Sequence, residues 1–165
     1  MSLIKRFLAR EKSPHEGGGV SAADGPTVAL VGHCGPDSFA LAQFVRREAP
    51  GALVKSISKQ RDLDEALETL DALLVNRVLD GRFGNRDGVA LIRALRDRTN
   101  TNAPIAILVS NFANAQSNAE AAGAAPGFGK DDLRASAAAD RLRSAIARAR
   151  ATRKANEPNS ESQSA

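Results

Sequence analysis

Ala72-Leu73-Leu74-Val75-Asn76 is a four-residue apolar run that stops abruptly on an amide. It is strand-sized and continuous, the pattern of a strand buried on both faces. Downstream, Asp87-Gly88-Val89-Ala90-Leu91-Ile92 opens a helix, and Pro104-Ile105-Ala106-Ile107-Leu108-Val109-Ser110 repeats the strand pattern and again ends on a polar residue. Upstream, Val28 to Val31 is a third such run, broken by Gly32-His33-Cys34-Gly35-Pro36.

The remaining chain falls into the same rhythm. A helix is predicted from Asp37, which can cap it, with Phe39, Leu41, Phe44 and Val45 as apolar contacts. Ala52 to Ile57 reads as a more exposed strand, and a short helix follows from near Asp62. Asn111 to Ala122 is a weak, alanine-rich helix, and Pro126 to Phe128 a brief strand. A long helix is predicted from Asp131-Asp132, whose charges suit a helix N-terminus. Five strands alternating with five helices predict an α/β domain, its parallel sheet covered on both faces by right-handed crossovers.

Residues 26–152 form that domain. Residues 1–25 read as a short amphipathic helix (Leu3, Ile4, Phe7 and Leu8 among Lys5, Arg6, Arg10 and Lys12) and a glycine-rich flexible linker. The helix suits either a cap on the domain or a dock onto a partner or an anionic membrane. Residues 153–165, rich in Ser, Asn and Glu, are expected to be disordered.

Composition narrows the classes further. Of 165 residues, 42% are hydrophobic, with six Phe and no Trp or Tyr, so stacking platforms for single-stranded nucleic acid are scarce. The net charge of +4 is mild. The single cysteine, Cys34, excludes an intrachain disulfide and fits a reducing compartment. No apolar run approaches the roughly 18 residues of a membrane span, and the first residues lack the apolar segment of a secretion signal. The expected location is the cytoplasm.

In an open parallel sheet, chemistry gathers at the carboxyl ends of the strands. Those ends carry Gly32, His33, Cys34 and Asp37, then Asn76 and Arg77, then Ser110 and Asn111, and finally Lys130. This order, with Ala122-Gly123-Ala124-Ala125-Pro126-Gly127-Phe128-Gly129-Lys130, resembles a response-regulator receiver domain across roughly Thr27 to Ala149. The resemblance implies a flavodoxin-like fold with strand order 2-1-3-4-5. It also implies a site in which two acids after the first strand hold magnesium and an aspartate ending the third strand takes the phosphoryl group. Here Gly32 and His33 stand at the acidic pair and Asn76 at the phosphoacceptor, whereas Ser110 and Lys130 match the family's hydroxyl and lysine. An amide is a poor nucleophile, and magnesium is usually held by carboxylate oxygens. Phosphotransfer is therefore not expected, and no enzyme activity, metal or cofactor is assigned.

His33-Cys34 invites a thiol-enzyme reading, with Asp37 orienting the imidazole. Against it, adjacent residues are badly placed as a nucleophile–base pair. The plain alternative is a small buried cysteine under a turn. A metal site on His33, Cys34 and Asp37 lacks further ligands, because His15, the other histidine, sits in the linker. An anion resting near Lys130 is a further alternative. The basic loop Arg77 to Arg86 carries Arg77, Arg82 and Phe83 and suits either a partner contact or a fold of Leu79 and Phe83 over the strand ends. Arg141, Arg143, Arg148, Arg150, Arg153 and Lys154 make the last helix basic, most simply a solvated face. Homodimerisation through that helix is implied by the resemblance alone, and sequence-specific DNA binding is not expected. The leading function is a phosphorylation-independent, receiver-like regulator acting by protein–protein contact. The alternative is a small-ligand or anion-binding domain, or a Cys34-dependent enzyme, using the strand-end pocket.

Overall fold

In the computed structural model, which describes residues 25–98 and 102–158, five strands and five helices alternate along the chain. They are β1 (Thr27–Val31), α1 (Gly35–Glu48), β2 (Leu53–Ile57), α2 (Gln60–Ala66), β3 (Ala72–Asn76), α3 (Gly88–Arg98), β4 (Ile105–Val109), α4 (Ala113–Ala121), β5 (Ala125–Phe128) and α5 (Ser136–Asn156). The sheet is parallel throughout, in the order β2-β1-β3-β4-β5, so the expected fold class and strand order hold. The amphipathic segment and linker assigned to residues 1–25 lie outside the described residues, except for Gly25.

Alternation along each strand sorts side chains onto two faces. Val28, Leu30, Leu74, Ile107 and Val109 face α1 and α5, where Phe44 meets Phe128 with ring centroids 5.3 Å apart. Ala29, Val31, Leu73, Val75 and Leu108 face the other layer, with Leu63, Leu91, Ile92 and Leu95. Both faces are buried, which is why the runs of β1 and β3 are apolar without a break. β5 tolerates Pro126 because it is an edge strand, and its pairing shifts register between Ile107 and Val109.

At the amino ends of the strands the chain buries a charge. Asp71 is 3% exposed, accepts a hydrogen bond from the Thr27 amide at 2.7 Å and pairs with Arg153 at 3.0 Å. Arg153 also donates to the Leu70 carbonyl. This bridge lies on the final turns of α5, which continues to Asn156 and moves the boundary expected at 152. Residues 159–165 of the expected tail are outside the described residues. The start of α5 also differs from expectation. Asp132 turns back to accept from the Gly129 amide at 3.0 Å and closes a 3₁₀ turn over Lys130–Asp132, so the helix begins only at Ser136.

The segment between β3 and α3 is the departure that shapes the site. Val78 and Asp87 form an antiparallel bridge, and the Leu79 amide donates to the Arg86 carbonyl at 2.8 Å. Its tip reaches the β2–α2 connection, where the Arg82 amide donates to the Ser58 carbonyl and the Gln60 amide to the Arg82 carbonyl. Gly81, at φ +111°, makes that approach possible, since a Cβ there would sit 2.1 Å from the Ser58 oxygen. The segment is thus a folded flap. Leu79 beneath it is fully buried, and Phe83 packs against the same apolar cluster.

Replacing Leu79 with Ala should lower the unfolding free energy by about 2–5 kcal/mol in urea titrations. Val78→Ala, on the exposed neighbour, should stay within about 0.5 kcal/mol of the parent.

Candidate functional site

The strand ends are joined by a small set of bonds that begins at Gly32. Its φ of +69° belongs to the left-handed region that glycine enters freely, and it lets the chain leave β1 beneath the flap. Leu79 lies directly against it, since a Cβ on residue 32 would meet the Leu79 side chain at 2.7 Å and its Cα at 2.9 Å. Both space and backbone conformation therefore oppose a carboxylate here. The Gly32 carbonyl accepts two hydrogen bonds, from the Asp80 amide at 2.9 Å and from Asn76 Nδ2 at 2.9 Å. Asn76 Nδ2 gives a second bond to the Val78 carbonyl at 2.8 Å. The amide of Asn76 thus works as a two-proton donor that ties the flap to β1.

His33 and Cys34 part company at the end of β1. The imidazole is 8% exposed and donates from Nε2 to the Leu74 carbonyl at 3.0 Å, leaving Nδ1 buried without a partner among the described residues. Burial lowers its pKa from 6.5 to about 4; the Leu74 bond works against that shift and the nearby Lys130 charge adds to it. Cys34 is exposed, so it is not the buried cysteine expected under a turn. It is the N-cap residue of α1, a place expected for Asp37, and it provides no side-chain cap. Asp37 lies in the first helical turn with its carboxylate on Lys130, whose hydrogen bond holds the Asp37 pKa below its usual range. Helix starts favour extended backbone at the cap, and the glycine–proline pair after Cys34 brings the start forward.

Asn76, Ser110 and Lys130 all line one cleft of about 220 Å³, together with Arg77, Val78, Asn111 and Phe112. Ser110 is buried, and its hydroxyl accepts from the Phe112 amide at 3.2 Å. Asn111 and Asp131 exchange two bonds, side chain to side chain at 2.9 Å and Asp131 amide to Asn111 Oδ1 at 3.2 Å. That clamp joins the loops after β4 and β5, and it takes Asn111 out of the helix expected there, so α4 starts at Ala113. His33, Cys34 and Asp37 do not line this cleft.

Of the loop residues, Arg77 lies with its guanidinium 4.9 Å from the Phe112 ring centroid. Arg82 joins the flap through its backbone and is exposed, and Phe83 is turned inward. The basic run of α5 is also partly spent inside the fold: Arg141 donates to the Gly127 carbonyl, Arg143 pairs with Glu48, and Arg153 with Asp71.

The residues present do not suit a magnesium ion. Gly32 offers no side chain and is covered by Leu79, Asn76 turns its donor nitrogen inward, and Asp37 is held by Lys130. Among the described residues no group of three or more His, Cys, Asp or Glu is placed to hold a metal. Among them also, no helix is long and apolar enough to cross a membrane.

Asn76→Asp should set a carboxylate against two carbonyl oxygens and lower stability by about 1–3 kcal/mol, read from the shift in denaturant midpoint at neutral pH. The histidine sets a pH window. Its folded pKa, about 4, lies below the unfolded value of 6.5, so the unfolded chain takes up the proton first as pH falls. Its contribution is therefore complete above pH 6.5 and fades between there and pH 4, by about 3 kcal/mol in all. Urea midpoints at pH 7 and pH 4.5 should diverge in the parent and converge in His33→Gln.

No protein-family model matches the sequence. No curated protein matches it either. Solved structures do match. The chain is similar to the signal receiver domain of a DNA-binding response regulator from Colwellia psychrerythraea 34H, at 19% identity and TM-score 0.60, covering 74% of this chain and 98% of that one. It is similar to the receiver domain of the TMAO respiratory system response regulator TorR, at 21% identity and TM-score 0.57 with the same coverage. A response regulator from Thermotoga maritima matches at 18% identity and TM-score 0.56, again over 74% of this chain and 98% of that one.

Proposed function

We propose that this chain, which has the fold of a receiver domain, is a cytoplasmic regulatory module that acts by contact with a protein partner, independently of phosphorylation and without enzymatic activity. The observation that carries this reading is the filled acidic pocket: Leu79 sits on Gly32, and Asn76 spends its amide protons on the Gly32 and Val78 carbonyls. Phosphoryl capture by a receiver fold needs a carboxylate anion facing a metal-bound phosphoryl group. Here the nucleophile is an amide, and the volume beside it holds a leucine.

The rival reading is a small-ligand or anion site, or a thiol enzyme built on Cys34. The cleft beside Ser110 and Lys130 is what favours it. Two observations support contact over catalysis. The His33 proton is committed to the Leu74 carbonyl with the ring's other nitrogen sealed from solvent, so the imidazole is not turned toward the thiol as a base. The Lys130 ammonium is already matched by Asp37. Self-association through α5 belongs to the proposal on family likeness.

Incubation of the full chain with acetyl phosphate and magnesium should leave its intact mass unchanged, for the parent and for Asn76→Asp alike. A phosphoryl adduct on the parent would overturn the reading. A thermal-shift series with inorganic phosphate, nucleotides and divalent metals should be flat. A stabilisation abolished by Lys130→Ala or Cys34→Ser would favour the rival.

A further inference from the structure

A trough of about 940 Å³ runs between α3 and α4, beside the flap. Arg77, Val78 and Arg86 line it from the flap, Arg93 from α3, and Phe112 and Ala115 at the start of α4. It exists because α4 is built of small residues. Ala115 and Ala119 turn into the core, and Asn118 and Ala121 are too short to fill the space toward α3.

Two features of the trough are left unexplained by the fold. Phe112 is 59% exposed and Val78 45%, so its mouth carries an apolar strip in water. The Arg77 guanidinium lies over the exposed Phe112 ring, 4.9 Å from its centroid. The second feature is charge. Of the described residues, three arginines line the trough against one carboxylate, Asp87, which is engaged with the Val89 amide at 2.9 Å. Among the described residues Arg93 makes no hydrogen bond or ion pair, and Arg86 spends a single donor on the Leu79 carbonyl. Guanidinium donors therefore face solvent beside an apolar strip.

We propose that this trough is the docking site for an acidic segment of a partner protein, its carboxylates on Arg77, Arg86 and Arg93 and an apolar side chain against Phe112 and Val78. The inference rests on the contact reading above and names the surface and the chemistry of its partner. Guanidinium forks match carboxylates in two-pronged pairs, and arginine and aromatic residues dominate binding energy where they are desolvated together. A flat membrane cannot enter a concave trough. A nucleic-acid strand would want successive aromatic platforms, and Phe112 is the one aromatic among the described residues that line the trough. The occupant that fits is a peptide chain carrying both kinds of group.

The test uses the full chain and fluorescein-labelled synthetic peptides in which Asp and Glu flank a central Phe or Leu, followed by anisotropy and by amide chemical shifts. The acidic peptides should bind and shift resonances around Val78, Arg93 and Phe112. Their lysine counterparts should not. Arg93→Glu and Phe112→Ala should each weaken binding by about tenfold or more with the thermal midpoint kept, while Arg148→Glu on α5 should leave it unchanged. Absence of binding, or binding indifferent to Arg93→Glu and Phe112→Ala, would overturn the proposal. So would displacement of the peptide by oligothymidylate through the same residues, which would assign the trough to nucleic acid. A change in oligomeric mass on Arg93→Glu would assign it to a second copy and overturn it equally. None of these outcomes alters the phosphodonor result, so failure of the docking site and failure of the contact reading remain separate.

Discussion

The Gly32 carbonyl, shared between the Asn76 side chain and the Asp80 amide, is the acceptor on which the carboxyl-end face of the sheet depends. It fixes where β1 ends, seats Leu79 in the adjoining space and anchors the flap that crosses toward β2. Each part needs the others. Without the amide of Asn76, two carbonyls lose a donor in a half-buried place, and without glycine at 32 the leucine cannot approach. Around Gly32 the polar groups bond to one another, while Nδ1 of His33 stays buried without a partner among the described residues.

Much of the architecture was readable in the order of apolar runs. β1, β3 and β4 are buried on both faces, so their residues announce a covered parallel sheet before any contact is known. The strand-end residues Asn76, Ser110 and Lys130 were legible for the same reason, since the topology delivers them to one cleft. Helix starts are less legible in the sequence. Asp37 and Asp131-Asp132 look like helix-opening acids, yet Asp37 is turned to Lys130, Asp131 to Asn111 and Asp132 to the Gly129 amide. A carboxylate near a helix start has several local donors to choose from, and the choice depends on loops distant in sequence.

Other features left no mark in the sequence. The Asp71–Arg153 bridge links residues 82 positions apart, and nothing in local spacing predicts that a lone aspartate before a strand will be buried. Phe112 gives no signal either, because an aromatic after a strand is normally assigned to the core, whereas here it lies exposed under the Arg77 guanidinium. The flap was open to two readings. Its inward half, Leu79 and Phe83, follows the packing alternative, and its arginines stay at the surface. One loop thus covers Gly32 on one side and lines a basic trough on the other.

The Asn111–Asp131 clamp gives this arrangement a consequence of its own. A switch needs two loops that can change places relative to each other, and here a pair of reciprocal bonds fastens them. Under the proposed reading such a module needs no phosphoryl-driven exchange of these loops for its partner contact. Its variable is dosage: how many copies the cell makes, and how quickly it clears them.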